Sequence, residues 1–198
     1  MFDLLASEYR DAARRAGAAC AAALVAFHMI GAASAQQADR VLPPAAASSA
    51  LAPVDEAFAL YAASSSLAEI EGAQLVLKTT QRPEVREYAQ KLVREHGKSF
   101  DELRRIVAPR GLKLPPAPTG RHADLVTKLT GVAATDRDEA FLLRFGVDAH
   151  KETIALFERQ SAEGQDPELK RYAQQTLTTL REHMAAAHKL INAQSTAR

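Results

Sequence analysis

YAQKLVREHGKSF, residues 88–100, and YAQQTLTTLREHMAAAH, residues 172–188, share a Tyr-Ala-Gln opening and an Arg-Glu-His further on. Around the first, the apolar positions are Val85, Ala89, Leu92, Ser99 or Phe100, Leu103 and Ile106, with His96 in the same series. Around the second they are Ala173, Thr176, Leu180, Ala187 and Leu190, with His183 among them. Steps of three and four residues put such positions on one stripe of an α-helix, and strands would need alternation by two. Both segments therefore read as helices, and both histidines sit on the stripe that faces inward.

Two further helices follow from the same reading. Residues 54–80 place Phe58, Ala62, Ser65, Glu69, Gly72 and Val76 on one stripe, and residues 137–162 place Leu143, Val147, His150, Ile154 and Phe157 on another. Pro83 and Pro167 stand at first-turn positions, where a missing N–H costs nothing, and Asp166 is a good N-cap. Pro109, Gly111 and Gly164 mark the stops. More than 20 residues, with Pro115, Pro116, Pro118 and a short helix at 122–129, separate the second long helix from the third. That length permits a crossover between two hairpins. The expected fold is all-α, a ferritin-like four-helix bundle over residues 54–193 made of two helical hairpins joined by a long crossover. PEVREYAQ at 83–90 and PELKRYAQ at 167–174 match at an offset of 84, as a duplicated hairpin would.

The bundle is preceded by what reads as an export signal. Arg14 and Arg15 precede an apolar run closed by Ala33-Ser34-Ala35, which predicts a cleaved signal peptide over residues 1–35 and a periplasmic location. Residues 36–53, rich in Ala, Ser and Pro, read as a flexible linker. The signal takes three of the 25 basic and three of the 24 acidic side chains, leaving 22 against 21. A chain so nearly neutral offers no field for nucleic acid or for strong binding to a membrane surface. Cys20 leaves with the signal, so disulfides, thiolate metal sites and cysteine nucleophiles are excluded from the mature chain. An envelope protein partner and a homo-oligomer both remain open.

Glu69, His96, His150 and His183 each fall on the inner stripe of a different helix. At about 1.5 Å per residue, Glu69 and His96 lie roughly 18 and 22 Å from the turn between their helices, and His150 and His183 roughly 22 and 27 Å from theirs. Four polar side chains thus meet near mid-height. Their types suit zinc, copper or iron. The same residues also make a metal-free alternative, in which Glu69 accepts hydrogen bonds from the histidines. Val93, Val147 and Leu180 stand three residues before the histidines, where a di-iron centre would have glutamates. Glu95 and Glu182, each one residue before a histidine, are expected to turn about 100° towards solvent. His122 and His188 are expected to be exposed or peripheral, and no serine has a nucleophile-elbow context.

The stretches SLAEIEGAQLVLKTTQRPEVREYAQKLVREHGKSFDELRRI and FLLRFGVDAHKETIALFERQSAEGQDPELKRYAQQTLTTLREHMAAAHKL resemble the bacterial ferritin-like family called domain of unknown function 4142. The likeness spans residues 58–191 and is most specific at Leu67-Ala68-Glu69, Glu95-His96, His150, Asp166-Pro167-Glu168-Leu169 and Leu180-Arg181-Glu182-His183. It departs from the commoner pattern at Glu95, where Asp is usual, and at Thr178, where Pro is usual. The resemblance implies a ferritin-like fold and an envelope location, with no established reaction. The leading functional reading is an exported envelope accessory or stress-related domain of unknown biochemical activity, whose inner Glu/His cluster is a candidate transition-metal site. A metal-dependent enzyme using Glu69 as general base, and a purely structural interaction module, are the alternatives. Protein recovered from the cell envelope is expected to begin at or near Gln36, and N-terminal sequencing that finds Met1 intact contradicts the export reading.

Overall fold

The computed structural model describes residues 50–196, with side chains to residue 193, so the signal and most of the linker lie outside the described residues. Ala50–Arg198 forms one compact unit. Helix α1 spans Pro53–Leu77 and α2 Pro83–Val107, each with proline in its first turn. A 3₁₀ turn at Ala108–Arg110 closes α2 and ends at Gly111, whose φ of 75° is left-handed and favours glycine. The crossover carries α3, Arg121–Thr130. Then come α4 (Arg137–Phe141), a π-helical segment (Leu142–Ala149) and α5 (His150–Glu163), which run on as one rod. Helix α6, Pro167–Thr196, completes the unit. No strand occurs among the described residues, and no helix there is long and apolar enough to cross a membrane.

Helix α1 packs along α2, and α5 along α6, as two hairpins whose interiors merge. Phe58, Leu103, Phe157, Leu169 and Tyr172 fill one end of the core. Val85, Tyr88, Leu92, Phe141, Leu142 and Phe145 fill the other. Both Tyr-Ala-Gln openings are thereby accounted for, since Tyr88 and Tyr172 each turn inward. The first end is also tied by polar contacts. Asp166 Oδ1 caps α6 by accepting the Glu168 and Leu169 N–H groups, both at 2.9 Å. Buried Asp55 accepts the backbone N–H groups of Gln165 and Asp166 and the side-chain amide of Gln160, which fixes the start of α1 against the α5–α6 turn.

The third rod departs from the expected stripe. At ~100° per residue, the seven residues from Leu143 to His150 make nearly two full turns, which is why an α-helical reading aligns them. The π segment closes i→i+5 hydrogen bonds and turns less per residue. It therefore brings Leu142, Phe145 and Gly146 inward and leaves Leu143 49% exposed.

Two glycines let the rods approach closely. A Cβ on Gly72 would lie 2.5 Å from a Phe145 ring carbon, and one on Gly146 would lie 2.5 Å from the Ala187 Cβ and 3.0 Å from the Tyr88 hydroxyl. The Ala187 methyl is fixed to its helix and cannot rotate away. Gly146→Ala is therefore expected to destabilise by about 1–3 kcal/mol through overpacking. Gly97→Ala meets nothing within 4 Å and is expected to stabilise by up to about 1 kcal/mol through helix propensity. Urea unfolding of the two variants checks both signs, and equal midpoints would refute the packing argument.

Candidate metal centre

His96 on α2, His150 at the start of α5 and His183 on α6 converge in the core, each at most 5% exposed. Their ring centroids form a nearly equilateral triangle with sides of 5.5, 5.2 and 5.3 Å. Each ring offers one nitrogen to a common centre, and the three atoms all lie within 4.8 Å of one another. Nitrogens about a tetrahedral ion at 2.0–2.1 Å would be about 3.3 Å apart. The His150 Nε2 to His183 Nδ1 distance is already 3.2 Å.

The outer edges of two rings are held by acceptors. His150 Nδ1 donates to the Phe145 carbonyl at 2.8 Å, a group presented by the π segment five residues earlier. His183 Nε2 donates to Glu95 Oε2 at 2.6 Å. With those protons outward, neutral His150 and His183 turn bare lone pairs towards each other. His96 Nε2 is buried without a hydrogen-bond partner. Burial holds the His96 imidazolium well below its usual range, with His150 and His183 adding repulsion. Burial lowers His150 to about 4, against the opposing pull of the Phe145 carbonyl. It lowers His183 as well, although the bond to Glu95 works the other way. The interior thus favours three neutral imidazoles, the protonation state that metal ligation requires.

Glu69 reaches the same level on α1 and is 2% exposed. Its Oε1 lies 3.4 Å from His150 Nδ1, the outer nitrogen, and it is not one of the three groups whose ligand atoms converge. Burial without a cation beside it raises its pKa well above the carboxylate range. Its Oε2 and the Tyr88 hydroxyl are both buried and unpartnered, and the Tyr88 pKa is pushed up by burial first and by Glu69 second.

Two expectations are corrected here. Glu95 does not turn away to solvent: its side chain is 30% exposed and its carboxylate reaches across from α2 to α6. An α-helical wheel describes only one helix, and the acceptor on α2 serves a histidine on α6. His122 is buried rather than exposed, its Nδ1 3.0 Å from the Ser64 hydroxyl and its ring edge-on to Tyr61, because α3 folds back onto α1. Burial lowers its pKa to about 4, with Arg121 adding to the effect. Neither contact has a signal within its own segment.

These shifts fix how metal-free protein responds to acid. The folded pKa of each buried histidine lies below the unfolded value, so between about pH 6.5 and 4 the unfolded chain binds more protons and stability falls as pH falls. Glu69 acts in the opposite sense above about pH 4.5, where the unfolded chain releases a proton that the folded chain keeps. His122 and His150 outweigh that single group, and His96 and His183 add to them. Urea unfolding of chelator-treated protein is expected to lose about 1 kcal/mol or more between pH 6 and pH 5. A flat profile there contradicts the burial of neutral histidines.

Comparison with known proteins bears on the fold and the family. The crystal structure of a DUF305 fragment from Deinococcus radiodurans is similar with a TM-score of 0.63, covering 73% of this chain and 99% of the fragment at 17% identity. At that identity the likeness concerns the fold alone. No protein of curated function matches the chain. The family described as Domain of unknown function (DUF4142) matches residues 40–190, a span that includes Glu69, His96, His150 and His183, and the chain belongs to that family.

Proposed function

We propose that this protein is an exported, periplasmic domain, a ferritin-like four-helix bundle that holds one transition-metal ion between His96, His150 and His183. The observation that supports the metal reading most directly is the facing pair of nitrogens at 3.2 Å. Their outer protons are committed to Phe145 and Glu95, which leaves a lone-pair contact that added positive charge would relieve. A proton is disfavoured at His150 and His183 by burial. An ion at the centre would accept both lone pairs together with one from His96.

Three imidazoles without thiolate suit zinc, copper or iron by ligand type. The outer partners fit the same reading, since a metal-bound histidine commonly donates its other N–H to a carboxylate or a carbonyl. Glu69 Oε1 lies 3.4 Å from the same His150 nitrogen, whose proton goes to the Phe145 carbonyl. The role is that of an envelope accessory or stress-related metal-binding domain.

One equivalent of zinc, copper or cobalt is expected to raise the melting temperature near pH 7.5, by about 2.7 kcal/mol of stabilisation when free metal is a hundred times Kd. His96→Ala combined with His183→Ala should abolish the shift, and Glu95→Ala should weaken metal binding by about 10–100-fold. If the ion shifts wild type and the double variant equally, the cluster is not the site and a structural interaction module becomes the better reading.

A further inference from the structure

Against the histidine cluster lies a small cavity of about 20 Å³, bounded by His96 and His183. About 10–15 Å³ of such space accommodates one water molecule. Six of the twelve lining residues carry hydroxyls: Ser65 and Ser66 on α1, Ser99 on α2, Thr153 on α5, and Thr176 and Thr179 on α6. Hydroxyls from all four long rods are unusual in a core otherwise filled by Phe, Leu and Tyr, although four of them are already engaged, Ser65 with Thr153, Ser99 with the Tyr172 hydroxyl and Thr176 with the Tyr172 carbonyl. The wall reaches the surface between α2 and α6, where Thr176 and Thr179 are half-buried and the Glu95 side chain is 30% exposed.

From this geometry we infer that the metal keeps an open coordination position directed into the hydroxyl-lined cavity, and that the position takes a ligand of one to three heavy atoms, water or a small monoanion. The inference rests on the metal reading above. Three protein ligands leave a fourth position on a tetrahedral ion, the arrangement of catalytic rather than structural zinc sites. Neither nearby carboxyl group fills that position, since Glu95 is held at the outer nitrogen of His183 and Glu69 stands at the outer nitrogen of His150. A divalent ion held by three neutral imidazoles carries charge that the Glu95 carboxylate beside His183 only partly offsets, in a poorly solvated site, which favours a monoanion. No lysine or arginine lines the cavity, so nothing there is built for a multiply charged ligand. Its size excludes phosphate and carboxylates as large as acetate.

Entry of the anion displaces a metal-bound water, and the oxidation state of the ion does not change. Tag-free mature protein loaded with one equivalent of cobalt(II) reports this exchange through its visible ligand-field bands. Azide is expected to shift those bands saturably, whereas acetate and inorganic phosphate at the same concentration leave them unchanged. Thr179→Leu, a half-buried position at the mouth, is expected to keep the azide-free spectrum and to weaken azide binding tenfold or more. Bands present but indifferent to azide in wild type overturn the open position, as coordination would then be complete. An equal response to phosphate overturns the size limit. Absence of any protein-induced cobalt spectrum overturns the metal reading and this inference together, which separates the two failures.

Discussion

The structure turns on the need to satisfy three imidazoles in a core that admits almost no water. Burial of a polar group without a partner costs about 1–3 kcal/mol, so the surrounding elements are arranged around what those rings require. Glu95 crosses from α2 to hold His183, and the π segment presents a carbonyl to His150. Both leave the inner nitrogens bare. A site that commits its outer protons and concentrates its lone pairs is complementary to a cation, and the rest of the core is shaped to keep it so.

The helices bring the rings together because they approach closely where side chains are small. Gly72 admits the Phe145 ring, and Gly146 admits Ala187 and the Tyr88 hydroxyl. Both contacts involve the π segment or a residue packed on it. Winding with i→i+5 bonds is costly and uncommon, and it is often found beside functional sites. Here it does two things at once, re-phasing the third rod so that Phe145 packs inward and placing that residue's carbonyl under His150. Stability and site geometry therefore share the same eight residues.

Away from the cluster, the polar contacts are of a different kind. Asp55 receives two backbone N–H groups and an amide, and Arg110 pairs with Asp166 and Glu168 at 2.7 Å. Asp55 and the Arg110 ion pairs find their complements and fix the end of the unit, while the Gln160 Oε1 atom stays buried without a hydrogen-bond partner. The central histidines lack such closure at their inner nitrogens, and the difference marks the cluster as the place where a ligand has something to supply.

The sequence alone determined that the chain is helical, where its helices start, and which residues lie on their inner stripes. Spacing of three and four, proline at first turns and the Asp166 cap are local properties, and they put His96, His150 and His183 inside. Mid-height placement followed from counting residues, because rise per residue is fixed by the backbone. The tertiary structure alone decided what each ring faces. Leu143 was misplaced because π winding turns less per residue than the α-helical wheel assumes. Glu95 and His122 were misjudged because each is satisfied by a different element, Glu95 by α6 and His122 by α1. Glu69 was correctly placed on an inner stripe, yet only the packed arrangement puts it behind His150, since a helical wheel gives direction from one axis and coordination depends on several axes at once.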